Sequence, residues 1–165
     1  MIVKKKNRLM SIDTSINNLG VAIWDMSTKQ LIMHKLLHPK KDCRNNQYDK
    51  SLSMLDQIKE WIIAYTVNHM IVEVPEYWAV GGFEARETGS ISKLMFVCGM
   101  IYSLKHDMEE LQLVVPRGWK GQLPKEVVAN RLRDHYLPMG FDMTKIDKNV
   151  MDAIGIGHYK LFGSV

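Results

Sequence analysis

A chain of 165 residues has the length of one domain and enough apolar side chains to bury a substantial core. Hydrophobic residues make up 46 % and charged residues 24 %, which excludes a disordered chain, and no apolar run approaches the roughly 20 residues of a membrane span. Lysine and arginine (22) exceed aspartate and glutamate (18) by +4, with a pI near 9.0, a balance that suits a nucleic-acid partner without establishing one. Lys4, Lys5 and Lys6 precede a short strand-like run and not the apolar core of a secretory signal, so an intracellular, cytoplasmic protein with no membrane partner is expected. Cys43 and Cys98 lie far apart with no Cys-x-x-Cys pair. They read as a loop thiol and a small core residue, and the six histidines show no ligand-like spacing.

In chain order, Arg8–Ile12 and Leu19–Trp24 read as strands joined by the polar turn Asp13–Asn18, and Gln30–Leu37 reads as a third strand of an antiparallel meander. Leu52, Leu55, Ile58, Ile62 and Tyr65 then fall on one helical stripe. His69–Val74 is a β-branched run stopped by Pro75, the pattern of a strand buried beneath helices. After a loop with two adjacent glycines (Trp78–Gly89), Ser90–His106 is predicted to be helical, Leu111–Val115 a fifth strand and Pro124–Leu137 a helix. From about Asp147 the chain is predicted to be a helix whose Gly155 and Gly157 allow close packing on the sheet. The resulting order, β-β-β-α-β-α-β-α-α, predicts a single α/β domain over residues 1–165, with a mixed five-stranded sheet flanked by helices in the ribonuclease-H-like arrangement.

Three acids stand out against this pattern. Asp13 closes the first strand directly after apolar residues; taken singly it can also cap the following turn. Glu73 interrupts the run Met70-Ile71-Val72-Glu73-Val74, where an unpartnered glutamate is seldom buried, whereas Glu76 beyond Pro75 is expected to be exposed. Asp152 shares a helix face with Asn149, three residues earlier; a polar helix terminus would read the same way. Together, carboxylates at the end of strand one, on strand four and on the last helix can converge at one sheet edge. Such a cluster suits hard divalent cations, and a pair of ions ~4 Å apart can activate water for phosphodiester hydrolysis.

These segments carry a resemblance. Ser11-Ile12-Asp13-Thr14-Ser15 with Gly20-Val21-Ala22, then Ile71-Val72-Glu73, the stretch Val115–Lys125 and Asp152–Gly157 resemble, in order, the corresponding parts of the RuvC-type Holliday-junction resolvases of bacteria and bacteriophages. The resemblance implies a homodimeric nuclease that uses two Mg²⁺ ions per site (or Mn²⁺) to cut a four-way DNA junction. It also implies that Asp13, Glu73 and Asp152 are catalytic metal ligands. The family places an Asp or His three residues before its last aspartate; here that residue is Asn149, a neutral ligand, with Asp147 as its alternative.

Two further features are read from the residues. Ile91, Leu94, Met95, Phe96, Val97, Cys98, Met100, Ile101, Tyr102 and Leu104 surround their helix, which calls for burial on more than one side, either within the subunit or against a partner. Arg117, Lys120 and Lys125, with Lys93 and Arg86, are candidate DNA-backbone contacts, and Tyr77 and Trp78 can stack on exposed bases or pack internally. The competing readings are a nuclease of the same fold acting on flaps or RNA–DNA hybrids, a non-catalytic junction-binding protein, and an actin-like nucleotide-binding domain. The last ordinarily needs two such domains.

Overall fold

The alternation at the start of the chain folds into the antiparallel meander it predicts: β1 (Arg8–Asp13), β2 (Leu19–Asp25) and β3 (Gln30–Leu37). The computed structural model describes residues 7–43, 46–76 and 89–165. Strands β4 (His69–Glu73) and β5 (Glu110–Val114) add in parallel on the other side of β1, giving the order β3-β2-β1-β4-β5. The described α-helices are α1 (Gln47–Tyr65), α2 (Ser90–Tyr102), α3 (Pro116–Lys120), α4 (Lys125–Tyr136) and α5 (Lys148–Phe162). This is the expected mixed five-stranded, ribonuclease-H-like sheet between helices. Among the described residues no helix is long and apolar enough to cross a membrane.

The central strands are apolar on both faces because both faces are covered. Leu9 and Ile71 join one core, built with Trp119 of α3, Leu132 and Tyr136 of α4, and Met151 and Ile154 of α5. Met10, Ile12, Met70 and Val72 join the other, against Met54 and Ile58 of α1 and Val97 and Ile101 of α2. A one-residue slip of β1 would turn Ser11 and Asp13 into the second core, so the register is tightly specified.

Helix α5 lies closer to the sheet than side chains would permit. A Cβ on Gly157 would sit 2.1 Å from Trp24 Nε1, and one on Gly155 would sit 2.6 Å from the Trp119 ring. Each glycine costs about 1 kcal/mol of helix propensity relative to alanine, and the close approach is what that cost permits. Beneath Gly157, the Trp24 indole N–H donates to Ser11 Oγ at 3.1 Å. The start of α5 is seated the same way, since a Cβ on Gly20 would lie 1.9 Å from the Asn149 carbonyl oxygen.

Two expectations require correction. Leu52 is 49 % exposed, and α1 buries Ser51, Ser53, Met54, Leu55 and Ile58, so its buried stripe is rotated from the predicted one. The serines are buried because they are bonded: Ser51 Oγ donates to the Gln47 carbonyl (2.8 Å) and Ser53 Oγ accepts from the Lys40 N–H (2.9 Å). The helix expected to reach His106 ends at Tyr102 and continues as a 3₁₀ turn over Ser103–Asp107, where Ser103 Oγ donates to the Met100 carbonyl at 2.7 Å. After β5, Pro116 opens α3 and Gly121, at φ 60°, closes it.

Candidate active site

Chain direction diverges at the β1/β4 boundary, with β2 and β3 on one side and β5 on the other. In open α/β sheets, the crevice outside the carboxyl ends of strands at such a point is where ligands bind. Asp13 and Glu73 each follow by one residue the paired Ile12 and Val72, so both carboxylates leave the sheet at this point. They share the strand parity of Leu9, Ser11 and Ile71, whose face α5 covers. Asp152 and Asn149 come from the first turns of α5, and all four residues line one open cleft of about 390 Å³.

Electrostatically the cleft is unbalanced. Asp13 is only 6 % exposed, and no described residue donates a hydrogen bond to its carboxylate. Burial first, then the charges of Glu73 and Asp152, push its pKa up to about 8, with Lys125 and Lys120 offsetting part of the rise. Burial also raises Glu73, against the lowering effect of its hydrogen bond from the Trp119 indole N–H and of Lys120. Lys125 Nζ reaches Asp152 Oδ2 at 3.0 Å. Burial lowers the Lys125 pKa, but the bond and charge of Asp152, followed by the charges of Asp13 and Glu73, leave it raised.

The donor set is one of hard oxygens, which fits Mg²⁺ or Mn²⁺ and not a softer metal. The deficit of positive charge around Asp13 is the observation that supports this fit. Among the described residues, no three His, Cys, Asp or Glu side chains stand close enough to hold an ion as they are. Lys125 engages an Asp152 oxygen that an ion would need.

The remaining candidates are distributed unevenly. Lys125 lines the carboxylate cleft with its ammonium 3.0 Å from Asp152 Oδ2, while its side chain stays largely exposed. Lys120 lies with its ammonium 5.0 Å from the Trp119 ring centroid, close enough to both acids to lower their pKa values. Arg117 is exposed but pairs with Glu76 (3.8 Å), which is half-buried and not exposed as expected. Lys93 is exposed on α2. Tyr77, Trp78 and Arg86 lie outside the described residues. Asp147 is the N-cap of α5, its carboxylate accepting the Asn149 N–H at 2.8 Å, so capping accounts for it. The Asn149 side-chain amide donates to Asn18 Oδ1 at 2.6 Å.

Compared by sequence, the chain matches no protein-family model and no curated protein. Compared by structure, it matches Thermus thermophilus RuvC in complex with a Holliday junction substrate, with a TM-score of 0.73 at 15 % identity over 95 % of this chain and 94 % of that one. A second Thermus thermophilus RuvC structure gives a TM-score of 0.68 at 15 % identity over 95 % and 97 %. This chain has the RuvC fold. The yeast mitochondrial Holliday junction resolvase Ydc2 matches more loosely, with a TM-score of 0.54 at 12 % identity over 92 % and 78 %.

Within this RuvC fold, the structure adds residues to the site that the sequence did not single out. Trp119 is buried and holds Glu73. Thr14 Oγ1 donates to the Glu73 carbonyl at 2.7 Å, tying the ends of β1 and β4 together. Lys148 lines the cleft beside Asn149. The only sequence signal for Trp119 was a large aromatic inside a Pro-Arg-Gly-Trp-Lys-Gly turn, where solvent exposure would be unusual.

Proposed function

We propose that this chain is a cytoplasmic, metal-dependent endodeoxyribonuclease that resolves four-way DNA junctions. The observation that carries the reading is the cleft itself: three carboxylates from the ends of β1 and β4 and the start of α5 face one opening, only partly balanced by Lys125 and Lys120, in a fold shared with a protein solved on a Holliday junction. Asp13, Glu73 and Asp152 would hold the divalent ions, with Asn149 contributing an amide oxygen. Bound there, two such ions supply an activated water and stabilise the charge that develops on the phosphate.

The rest of the work belongs to the chain. With its pKa pushed up to about 8, Asp13 holds a proton at neutral pH that it would have to release to ligate a cation. Trp119 fixes the orientation of Glu73 through its indole N–H. Lys125 balances Asp152 while no other cation is present and becomes available to a phosphate once one is. Lys120, Lys148, Lys93 and Arg117 supply positive charge around the opening for the DNA backbone.

A junction presents two equivalent strands, and a closed two-fold homodimer would place one cleft at each. The outer face of α2 suits that contact: Met95 (50 %), Phe96 (40 %) and Tyr102 (39 %) are exposed, and a Cβ on Gly99 would meet only open space.

The test is cleavage of a synthetic four-way junction beside duplex, flap and RNA–DNA hybrid, each with Mg²⁺, Mn²⁺ or EDTA. Paired, metal-dependent nicks in the junction alone support the reading. Preference for flap or hybrid would reassign the substrate, and tight junction binding without nicking would indicate a binding protein.

A further inference from the structure

A second opening adjoins the carboxylate cleft and carries the opposite electrostatic character. It measures about 430 Å³ and is lined by Asn17, Asn18, His38, Pro39 and Lys50, at the meeting of the β1–β2 turn, the end of β3 and the first turn of α1. Asn17 lines both openings. The dividing wall is the hydrogen bond from the Asn149 amide of the cleft to Asn18 of the pocket. We propose that this pocket binds a backbone phosphate of the DNA strand, next to the one addressed by the carboxylates.

Among the described residues no carboxylate lines the pocket; its polar side chains are an ammonium, two carboxamides and an imidazole. The Lys50 ammonium has only a neutral partner, Asn17 Oδ1 at 3.3 Å, and forms no ion pair among the described residues. Its place near the start of the 19-residue α1 is electrostatically adverse for the helix, whose positive end favours an anion. Helix stability therefore does not account for a lysine there; with the start of α1 already capped by Asn46 and carrying Asp49, it is the ammonium that a phosphate would draw on.

The frame around these groups is braced. Gln47 Nε2 donates to the Ile16 carbonyl (3.0 Å), and Gln57 Nε2 donates to the His38 carbonyl (2.8 Å). These bonds fix the turn and the strand end to α1 through backbone groups. The His38 imidazole forms no hydrogen bond with a described residue, and the ammonium is held only by Asn17 at 3.3 Å, so both can meet a ligand. A free anion would gain only the pocket, whereas a strand whose scissile phosphate lies at the carboxylates brings its neighbouring phosphate to the same wall, since successive phosphates of one strand follow closely along the axis.

The inference rests on the carboxylate cleft being a nuclease site, and its test separates the two claims. Parent, Lys50→Met and Lys50→Arg chains are compared on a four-way junction, with folding checked by thermal melting. Lys50→Met should raise KM about tenfold with kcat nearly unchanged, as for loss of one charged hydrogen bond. It should also flatten the log–log salt dependence of binding by about one unit. Lys50→Arg should restore most of both. A neutral methylphosphonate placed in turn at each phosphate flanking the cut should weaken the parent at one position and leave Lys50→Met unaffected there. Cleavage by the parent with an unchanged salt slope and equal methylphosphonate sensitivity in Lys50→Met would overturn the subsite alone, leaving Lys50 as a tether for the turn. A parent that cuts no branched DNA would overturn the nuclease reading, and the DNA subsite with it.

Discussion

Replacing Asp13 with asparagine should stabilise the metal-free protein while abolishing its cleavage activity. Asp13 is buried beside Glu73 and Asp152, and its pKa rises from 3.8 in a free chain to about 8. Below about pH 4 the carboxyl is protonated in both the folded and unfolded states and costs nothing. Between those values the unfolded chain releases the proton while the folded chain retains it, so stability falls as pH rises and levels off above about 8. At ~1.36 kcal/mol per pKa unit, the loss is about 4 kcal/mol at pH 7 and about 6 at full ionisation. Asparagine has the same shape and no charge, so it removes this dependence. Each kcal/mol moves the melting temperature of a domain of this size by roughly 2–4 °C, so Asp13→Asn should melt on the order of 10 °C higher than the parent at pH 8. The assay is thermal and urea unfolding in EDTA at several pH values, repeated with Mg²⁺, which should stabilise the parent and leave the variant unmoved. A variant equal to or less stable than the parent at pH 8, with the same pH slope, would refute the idea that Asp13 sits in an only partly compensated acidic cleft.

Three further outcomes follow from the same structure. Trp119→Phe keeps the ring in the core but removes the donor to Glu73, so it should lower cleavage about tenfold, the scale of one hydrogen bond to a charged group, while moving the melting temperature only modestly; unchanged kinetics would remove Trp119 from the site. Asn149→Asp should tighten Mg²⁺ binding and increase cleavage at low metal, although it loses the donor to Asn18; identical metal titrations, or a weaker variant throughout, would place the ligands elsewhere. His158 is 9 % exposed, accepts or donates at Tyr136 Oη (2.7 Å), and is lowered to about 4 by burial and then by His135, so the unfolded chain takes up its proton first and stability should fall by about 3 kcal/mol as pH drops from 6.5 toward 4; His158→Gln with an unaltered acid limb would contradict this.

The sheet and the acids were legible in the sequence for a common reason. Strand alternation, turn residues and the breaks at Pro75 and Pro116 are local signals, and Asp13 and Glu73 were conspicuous as acids inside apolar runs. The closeness of α5 was legible through Gly155 and Gly157, although which partners filled their space was not. What stayed hidden depends on pairs distant in sequence. Trp119 meets Glu73 46 residues away, and Lys125 meets Asp152 27 residues away, pairings that no local pattern encodes. Leu52 misled because its spacing suited a stripe whose centre was shifted by two serines bonded within the core. That Asp147 caps α5 depends on the exact start of that helix, which periodicity does not fix.

The most direct test of the central claim is a metal titration of four-way-junction nicking by the parent and by Asp13→Asn, Glu73→Gln and Asp152→Asn, with junction binding measured on the same preparations. The parent should nick in Mg²⁺ and not in EDTA, while each variant binds the junction nearly as well and nicks at least about a hundredfold more slowly, as expected when ligands to catalytic ions are lost. Near-parental nicking by all three folded variants, or metal-independent nicking by the parent, would contradict the account.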